Sequence, residues 1–426
     1  MDDFGYIDGI AQEERVREHS DDQKQALDAV RAFMQDASAR QFVIGGVAGS
    51  GKSTLIPHVI DMVGTPYDGS SRNGNVAVCA YTGKAVMNLK RKGVVNAMTL
   101  HSFLYETRYV DDETVPGGRK VVYIPKQDFM FREIALLIVD EASMVSREMH
   151  GMIESLPFRT LYIGDHFQLP PVGDSFNIMA KPDFRLERIH RQEEGNPIVM
   201  LADMARHGKP LPLGTFGASK HTRTLDVASL SSYDEIIVWT NDLKDRVNDT
   251  VRAQRGFQKD VPQMDDKMIV RVNCKAKNVY NGQIVYLVNQ PVLKRGSAWS
   301  VEFVDELAYN DPFIMAQTDS ATKAIASIHL PKQELDKLRS MPSSLKTKEN
   351  YWKFKKDNPY QVHLDWGYAI TCHASQGTSW KNVAVLFEDR MKYALGAEET
   401  SRWIYTAITR AEESVTIYSG GFKDIG

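Results

Sequence analysis

The chain has 426 residues, of which 42% are hydrophobic and 25% are charged. This length suggests about two to four domains of ordinary globular composition. The formal net charge of −3 excludes a surface that is basic all over, so any nucleic-acid contact must be made by a local groove. The three cysteines, Cys79, Cys274 and Cys372, lie too far apart in sequence for a zinc or iron–sulfur motif and fit a reducing compartment.

Neither the first residues nor the apolar stretches of the sequence suggest a membrane protein. The first ten residues, MDDFGYIDGI, are acidic and contain no signal-peptide core. No stretch approaches the roughly 18 consecutive apolar residues that a membrane-spanning helix needs. We therefore expect a cytoplasmic location and no membrane partner.

Short apolar runs alternate with helical patterns in two stretches of the chain. The first stretch contains runs at 42–44, 76–80, 134–139 and 161–163, and the second contains runs at 236–239, 383–387 and 415–418. Each run ends in polar or glycine-rich residues, which is typical of buried parallel strands with ligand-binding loops at their carboxyl ends. The pattern predicts an α/β fold class with two parallel-sheet domains in tandem and a cleft between them.

Two regions interrupt this α/β pattern. Residues 104–110 and 119–125 alternate β-forming residues around the polar segment DDETVPGG, which predicts a β-hairpin with a long polar tip. Residues from about 269 to 330 contain several short β-forming runs and predict a small β-barrel or sheet. The segments 332–339 and 346–356 that follow predict helices and are strongly basic.

The most specific motif is the glycine-rich segment 46–53, Gly-Val-Ala-Gly-Ser-Gly-Lys-Ser, which we call the P-loop. It matches the pattern G-x4-G-K-[ST] in full, after an apolar run and before a helical pattern. The glycines let backbone N–H groups approach phosphate oxygens, Lys52 places a cation on the β- and γ-phosphates, and the Ser53 hydroxyl can bind Mg²⁺. An ordinary glycine-rich turn is the plain alternative. The predicted ATP-binding residues are Gly46, Ala48, Gly49, Ser50, Gly51, Lys52 and Ser53 of this segment and Thr54 directly after it.

A pair of carboxylates, Asp140 and Glu141, follows the apolar run 134–139. Asp140 can hold Mg²⁺ through water, and Glu141 can activate an attacking water molecule, although a surface pair at a strand end would look the same. Phosphoryl transfer depends on positioning and charge neutralisation, so we expect the second domain to supply arginines to the γ-phosphate. Arg191 in LERIHRQ and Arg410 in YTAITRA are the candidates; either could be an ordinary surface residue.

With these residues in place, the chain resembles the superfamily 1B helicases, in particular the Dda-like helicases of T-even phages, with RecD-like helicases as wider relatives. The motifs follow the family order from Asp22 to Ala411. The resemblance implies two RecA-like domains, with a duplex-parting hairpin inserted in the first and an SH3-like β insertion plus helical tower in the second. It places domain 1A at 1–102 and 126–182, the hairpin domain 1B at 103–125, domain 2A at 183–268 and 366–426, and domain 2B at 269–365.

The resemblance also assigns roles to individual residues. Gln23 resembles the glutamine that reads adenine, and Gln168 in GDHFQLPP resembles the catalytic-site glutamine that links the γ-phosphate to the strand. Arg191 and Arg410 resemble the arginines of the fourth and sixth helicase motifs. The residues expected to contact nucleic acid are Thr82, Lys84, Thr99, His101, Phe103, Asn241, Thr371, His373, Ser375 and Trp380.

Plain alternatives stay open for several of these assignments. Gln23 could simply cap a helix, Thr82 and Thr99 could be strand-end hydroxyls, and Gln168 could be a solvated loop residue. Phe103 and Trp380, the candidate stacking platforms, could belong to the core, and the basic segment LKTKENYWKFKK could be a solvated helix face. The hairpin tip has no aromatic residue, so a stacking aromatic would have to lie on its flank, as Tyr105 and Tyr109 do.

The activity that the resemblance implies is ATP-dependent 5′→3′ unwinding of DNA by a monomer that moves along single-stranded DNA towards a duplex junction. ATP and Mg²⁺ are the implied cofactors, and a single-strand-binding protein or replication and recombination proteins are candidate partners, in a host cytoplasm if the origin is a phage. The rival interpretations are a P-loop ATPase that moves no strand, a binder with a decayed motor, and a motor of the opposite polarity.

Overall fold

The structure is a computed structural model that describes residues 20–67, 74–111, 119–171, 176–187, 196–271, 274, 277, 279–294, 298–310, 321–328, 361–422 and 425. The chain divides into two units. Unit 1 comprises Met1–Leu104, Lys126–Leu225 and Cys372–Gly421, and unit 2 comprises Tyr105–Pro125, Asp226–Thr371 and Phe422–Gly426.

Strands and helices alternate along most of the described chain. In chain order the strands are β1 (Gln41–Gly46), β2 (Val76–Ala80), β3 (Met98–Thr99), β4 (Tyr105–Asp111), β5 (Arg119–Pro125), β6 (Leu136–Asp140), β7 (Arg159–Gly164), β8 (Phe184–Leu186), β9 (Gly214–Phe216), β10 (Ser219–Thr222), β11 (Glu235–Val238), β12 (Lys267–Val270), β13 (Ile284–Leu287), β14 (Val292–Leu293), β15 (Ala298–Asp305), β16 (Thr322–Ile328), β17 (Gln361–Trp366), β18 (Ala369–Thr371), β19 (Trp380–Glu388) and β20 (Ala411–Gly420). The helices are α1 (Asp21–Gln35), α2 (Leu55–Val63), α3 (Gly83–Arg91), α4 (Leu100–Leu104), α5 (Arg147–Glu154), α6 (Pro197–Arg206), α7 (Asn241–Gln254), α8 (Glu306–Asn310), α9 (Met391–Leu395) and α10 (Ala397–Ile408).

The first sheet of unit 1 is parallel throughout and has the strand order β3-β2-β6-β7-β1-β8. Strands β2 and β6 are buried along their whole length, as expected where helices cover both faces of a parallel sheet. The four strands predicted in the first stretch of the chain are therefore confirmed. Because β6, β7 and β1 are neighbours, the loops that follow them meet at one edge of the sheet.

The strands predicted in the second stretch are confirmed as well. In unit 1, β19 and β10 each pair in parallel with β20, and β9 adds an antiparallel edge to β10. In unit 2, β11 pairs in parallel with β18. These strands represent the second parallel-sheet fold, so the α/β class with two RecA-like folds and a β insertion holds.

Unit 2 also contains the two insertions that interrupt the α/β pattern. Strands β4 and β5 form an antiparallel hairpin, which confirms that prediction, while its tip at 112–118 lies outside the described residues. A second sheet has the strand order β13-β12-β17-β16-β15-β14, and β13 also pairs with β15, so that five strands close into a small barrel. The basic segments 332–339 and 346–356, and with them the expected tower, lie outside the described residues.

Among the described residues of unit 2, ion pairs at β11, β12 and α7 join side chains that are both almost fully buried. Lys267 Nζ lies 3.0 Å from a carboxylate oxygen of Glu235, and both side chains are almost fully buried. Arg252 donates two hydrogen bonds to Asp266, at 2.9 and 3.0 Å, and its guanidinium lies over the ring of Trp366. Each buried charge therefore faces a charge of opposite sign.

Membrane-spanning character is absent from the described helices, none of which combines the required length with sufficient apolar character.

Candidate active site

The P-loop begins where β1 ends and wraps around its own lysine. Gly49 and Gly51 adopt left-handed backbone conformations, with φ of 82° and 75°, which glycine adopts without steric cost. Lys52 Nζ donates hydrogen bonds of 2.8 Å to the carbonyls of Gly46 and Val47. The loop then leads through a 3-10 turn into α2, so its backbone N–H groups lie at the start of a helix, where an anion is favoured.

A hydroxyl and a carboxylate meet beside this loop. Ser53 Oγ donates a 3.1 Å hydrogen bond to Oδ2 of Asp140, which ends β6 and is only 6% exposed. Oxygen ligands of these two kinds are the ones that Mg²⁺ prefers. The donor set therefore fits a magnesium ion held between the P-loop and β6.

Glu141 has an unusual backbone conformation and a buried carboxylate with a raised pKa. Its φ of 53° is unusual for a residue with a side chain, and such conformations concentrate at functional sites. Burial and the neighbouring charge of Asp140 raise the pKa of Glu141, while the charges of Arg410 and Lys52 lower it. Burial likewise raises the pKa of Asp140. Two adjacent carboxylates thus share a buried site that favours a bound cation.

The loop 165–169 that follows β7 forms the third side of the site. Gln168 is 3% exposed, so the alternative of a solvated loop residue is wrong. Asp165 is fully buried, and its Oδ1 accepts a 2.9 Å hydrogen bond from the N–H of Phe167. Burial of the loop places Gln168 in the interior beside the nucleotide site.

Side chains from the second parallel-sheet fold hold this loop by its backbone. The Leu169 N–H donates to Thr406 Oγ1 at 3.2 Å, and Gln376 Nε2 donates to the Leu169 carbonyl at 3.0 Å. Arg402 donates to the carbonyl of His166 at 2.8 Å. These contacts fix the backbone of the loop at both of its ends.

Sequence reasoning missed three of the residues on α10 that make such contacts: Arg402, Tyr405 and Thr406. The Tyr405 hydroxyl accepts from the N–H of Ala48 and donates to Asp165. Their spacing of three and four residues puts all three side chains on one face of the helix. That spacing, read upstream of Arg410, is the signal that could have found them.

Arg410 lies in the same site, whereas Arg191 lies outside the described residues. The guanidinium of Arg410 is buried and donates to the carbonyls of Thr406 and Thr378, each at 3.0 Å, and to Thr409 Oγ1 at 3.1 Å. Its charge lowers the pKa of Glu141. The predicted arginine is therefore close enough to Glu141 to act on it electrostatically.

Gln23 caps a helix, as the alternative interpretation expected, and also contacts the residue that follows the P-loop. Its Oε1 accepts from the backbone N–H of Ser20 at 3.0 Å, which completes a capping box at the start of α1. Its Nε2 donates to Thr54 Oγ1 at 3.3 Å. A role in reading adenine stays a prediction beside this structural one.

Several buried polar atoms around the site still lack a hydrogen-bond partner among the described residues. They include Ser50 Oγ, Glu141 Oε2 and Gln168 Oε1. Burying such atoms without partners costs free energy, so native proteins rarely leave them unmatched unless a ligand or water completes the set. Together with the P-loop, Lys52 and the Ser53–Asp140 pair, they fit a triphosphate with a magnesium ion.

Three of the predicted strand-contacting residues were wrong, because their side chains are buried. The ring of Phe103 is fully buried and packs against Phe131 and Phe158, with centroids 5.1 and 5.8 Å away. Trp380 is 5% exposed, so its ring offers no face on which a base could stack. Ser375 is fully buried and donates to the carbonyl of Cys372.

Other predicted strand contacts make local bonds or lie near the surface. Thr82 and Thr99 make local hydrogen bonds at the start of a helix, as the alternative interpretation expected. The hydroxyl of Thr82 accepts the N–H of Ala85, and the hydroxyl of Thr99 accepts the N–H of Ser102. His101 is exposed and meets Tyr81 edge to face. The remaining four stay predictions: Lys84 lies in α3, Asn241 is exposed at the start of α7, and Thr371 and His373 are half-buried.

Comparison with known protein families divides the chain into two matching parts. A family described as an AAA domain matches residues 18–225, and a UvrD-like helicase C-terminal domain matches residues 367–418. The ATP-dependent RecD2 DNA helicase of Deinococcus radiodurans is 31% identical over 197 residues, which cover 45% of this chain and 24% of that protein. The ATP-dependent DNA helicase PIF1 of Emericella nidulans is 29% identical over 207 residues, which cover 42% and 26%.

Solved structures resemble the chain over nearly its whole length. The Pif1 helicase from Candida albicans has a TM-score of 0.52 at 17% identity and covers 95% of this chain and 94% of that chain. A Bacteroides Pif1 bound to single-stranded DNA has a TM-score of 0.51 at 15% identity, with 94% and 92% covered. At such identities the likeness shows the fold alone. The chain spans only 24% to 38% of the length of the curated relatives that it matches.

Proposed function

We propose that this chain, which belongs to the superfamily 1B helicases, hydrolyses ATP to move along single-stranded DNA and to unwind a duplex ahead of it. The observation that carries the proposal is the loop 165–169. It borders the carboxylates of the first parallel-sheet fold and is held by Gln376, Thr406 and Arg402 from the second. A nucleotide site connected in this way to a second α/β fold suits a motor, whereas a simple P-loop switch does not need the connection.

The residues of the site have distinct roles in the proposed reaction. The P-loop N–H groups and Lys52 hold the phosphates, and Ser53 and Asp140 are the Mg²⁺ ligands. A bound Mg²⁺ would neutralise charge on the β- and γ-phosphates. Glu141 takes a proton from the attacking water, which its raised pKa allows.

Gln168 and Arg410 complete the proposed site. Gln168 contacts the water or the γ-phosphate through its buried amide, and Arg410 stabilises the charge on the transferred phosphoryl group. An arginine in that role contributes about 10³–10⁵ to the rate in other systems. Arg191 is proposed as a second such arginine, and Gln23 as the residue that reads adenine. ATP drives movement only if it binds one arrangement of the two RecA-like folds more tightly than the other.

Contacts with the strand are proposed for seven of the predicted positions: Thr82, Lys84, Thr99, His101, Asn241, Thr371 and His373. The structural relative from Bacteroides was solved with single-stranded DNA. We propose single-stranded DNA and its junction with duplex as the substrate of this chain. The direction 5′→3′ rests on the resemblance to superfamily 1B.

The remaining organisation is proposed from the same resemblance. The domain boundaries are 1–102 with 126–182, 103–125, 183–268 with 366–426, and 269–365. The hairpin of β4 and β5 parts the duplex. A monomer that works in the cytoplasm, with a single-strand-binding protein or replication and recombination proteins as partners, completes the proposal.

Measurement of ATP hydrolysis with and without single-stranded DNA tests the motor. We expect strong stimulation by DNA in the wild type and loss of turnover in Lys52→Ala, with strand binding retained, because the lysine faces phosphate and not DNA. Lys220→Ala, which removes an exposed lysine on β10, is the matched control. If single-stranded DNA does not stimulate hydrolysis, the rival interpretation of an ATPase that moves no strand is favoured. Near-normal turnover in Lys52→Ala would reject the proposed nucleotide site.

Forked duplexes that carry either a 5′ or a 3′ single-stranded tail test polarity and unwinding together. We expect ATP-dependent unwinding of the 5′-tailed substrate only. Unwinding of the 3′-tailed substrate alone would leave the motor intact and reverse its direction.

Replacement of the tip segment 112–118 by a two-residue turn tests the hairpin. Unwinding should be lost while DNA-stimulated hydrolysis persists, since the hairpin is not part of the nucleotide site. Equal loss of both activities would reject the role of the hairpin.

A further inference from the structure

The hydroxyl of Tyr405 lies at the junction of two loops of the nucleotide site. It accepts a 3.0 Å hydrogen bond from the N–H of Ala48 in the P-loop. It donates a 2.7 Å hydrogen bond to Oδ2 of Asp165, whose Oδ1 is occupied by the N–H of Phe167. A single buried side chain from α10 therefore connects the P-loop with the start of the loop 165–169.

The same face of α10 holds the other end of that loop. Thr406 accepts the N–H of Leu169 at 3.2 Å, and Arg402, one turn earlier, donates to a backbone carbonyl of the loop at 2.8 Å. Gln376 adds a bond to the Leu169 carbonyl. Three successive contact points on one helix fix both ends of the loop 165–169, and Tyr405 also forms a hydrogen bond to the P-loop.

We propose that Tyr405 is a positioning residue that aligns the P-loop with the loop 165–169, so that DNA binding accelerates ATP hydrolysis. The inference rests on the proposed function, because it explains how the second RecA-like fold acts on the nucleotide. Among the described residues, the hydroxyl of Tyr405 is hydrogen-bonded to Ala48 and Asp165 and not to Lys52 or Glu141. It acts by fixing the backbone on either side of them, and Gln168 follows Asp165 by only three residues.

The directions of the hydrogen bonds are fixed by the chemistry of the site. Burial and the nearby charge of Asp165 raise the pKa of Tyr405 well above its ordinary value, so the hydroxyl stays protonated. It can therefore donate to the carboxylate and accept from the amide at the same time. Tyr405→Phe would leave the N–H of Ala48 and one oxygen of Asp165 without this partner in a buried place.

Removal of the hydroxyl should leave the packing almost unchanged. The Tyr405 ring lines a cavity of about 40 Å³ together with Val47, Ala48 and residues of α6. Phenylalanine keeps the ring and its contacts, so Tyr405→Phe tests the hydrogen bonds separately from the shape of the core.

The steady-state kinetics of Tyr405→Phe with saturating single-stranded DNA test the proposal. We expect kcat to fall by about tenfold, the effect of one hydrogen bond of ordinary strength. The KM for ATP should change little, since Lys52 and Ser53 are untouched. Tyr393→Phe, which removes the hydroxyl of a 93% exposed tyrosine on α9, is the matched control. An unchanged kcat in Tyr405→Phe would overturn the proposal, whether or not its melting temperature falls.

A pair of substitutions at Thr406 separates positioning from stability. Thr406→Ser keeps the acceptor for the Leu169 N–H and should retain kcat, while Thr406→Val keeps the volume, loses the acceptor and should lower it. Equal kcat in the two variants would overturn the role of this helix face.

Hydrogen–deuterium exchange of the nucleotide-free protein gives a readout that does not depend on activity. Tyr405→Phe should speed exchange in peptides that cover 46–53 and 165–169 and leave other peptides unchanged. Unchanged exchange would overturn the inference alone. A wild type that DNA does not stimulate, but whose exchange responds to Tyr405→Phe as expected, would overturn the proposed motor and leave the structural connection standing.

Discussion

Two clusters of buried charge in this chain are built in opposite ways. In the nucleotide site, Asp140 and Glu141 are neighbours of like sign, and burial raises the pKa of both. In unit 2, Lys267 is buried against Glu235. Burial alone would lower the pKa of this lysine, but the charges of Glu235 and Glu306 outweigh burial and raise it. One cluster is unbalanced and the other neutralises itself.

The difference shows which cluster serves the fold and which serves a ligand. In a buried pair of opposite sign, such as Arg252 and Asp266, each charge offsets part of the other's desolvation, so removal of one partner leaves an uncompensated buried charge and strongly destabilises the protein. Adjacent carboxylates with raised pKa values cost stability until a cation arrives, and such sites are functional more often than structural. Substitutions in the two clusters should therefore have opposite effects on activity and stability.

The largest effect is expected from Glu141→Gln. Loss of a general base lowers a rate by about 10²–10⁴-fold, while removal of one of two like charges should not lower the unfolding midpoint. Phosphate release in single-turnover experiments measures the first effect and thermal unfolding the second. Glu399→Gln, at an exposed position of α10, is the control. A variant that unfolds earlier than the wild type would contradict the assignment of an unbalanced cluster.

Arg252→Met should give the converse result. Breaking a buried ion pair from one side costs about 3–5 kcal/mol, so the free energy of unfolding in denaturant should fall sharply, while the folded fraction hydrolyses ATP at a normal rate. Lys259→Met removes one partner of an exposed pair with Asp249 and should cost at most about 1 kcal/mol. If both variants were equally stable, the buried pair would not support the fold.

The contrast between contiguous and dispersed sites also explains what the sequence could predict. The P-loop and the Asp140–Glu141 pair are made from neighbouring residues, so their geometry follows from a strand, a turn and a helix. The hairpin, and the β strands of a small barrel or sheet, were predicted for the same reason, because period-two alternation is a local pattern. Each of these predictions depended on residues close together in sequence.

Contacts between residues far apart in sequence could not be predicted in this way. Tyr405 lies 357 positions from Ala48, and the sequence carries no signal that links the two beyond helical spacing on α10. The burial of Phe103 depends on Phe131 and Phe158, which approach it only in the folded state. A motif shows where an aromatic ring stands in the chain, but the packing of its neighbours decides whether a base can reach it.

A smaller effect should appear in the pH dependence of hydrolysis. Glu141 must be deprotonated to act as a base, and its pKa is raised above the ordinary 4.5 by burial and by Asp140. As pH falls, kcat/KM should therefore decline around a midpoint above 4.5, since this quantity reports the free enzyme. Glu141→Gln should lack this acid limb. A midpoint at or below the ordinary value would mean that Arg410 and Lys52 outweigh burial.

The smallest effect on function is expected from Phe103→Leu, which separates burial from strand contact within the helix α4. A ring that stacked on a base would contribute about 1–3 kcal/mol to binding. Because Phe103 is fully buried, we expect the affinity for single-stranded DNA to stay unchanged, while the free energy of unfolding falls by about 1–3 kcal/mol.

The exposed His101, two residues earlier on the same helix, provides the comparison for that experiment. His101→Ala should weaken DNA binding without a comparable loss of stability, because the imidazole is accessible and the core is not disturbed. Fluorescence anisotropy with a labelled oligonucleotide, combined with denaturant unfolding, measures both quantities for each variant. If Phe103→Leu weakened DNA binding more than His101→Ala did, the buried ring of Phe103 would have to become exposed when the strand binds. Burial in this structure would then not separate core residues from DNA-binding residues on α4.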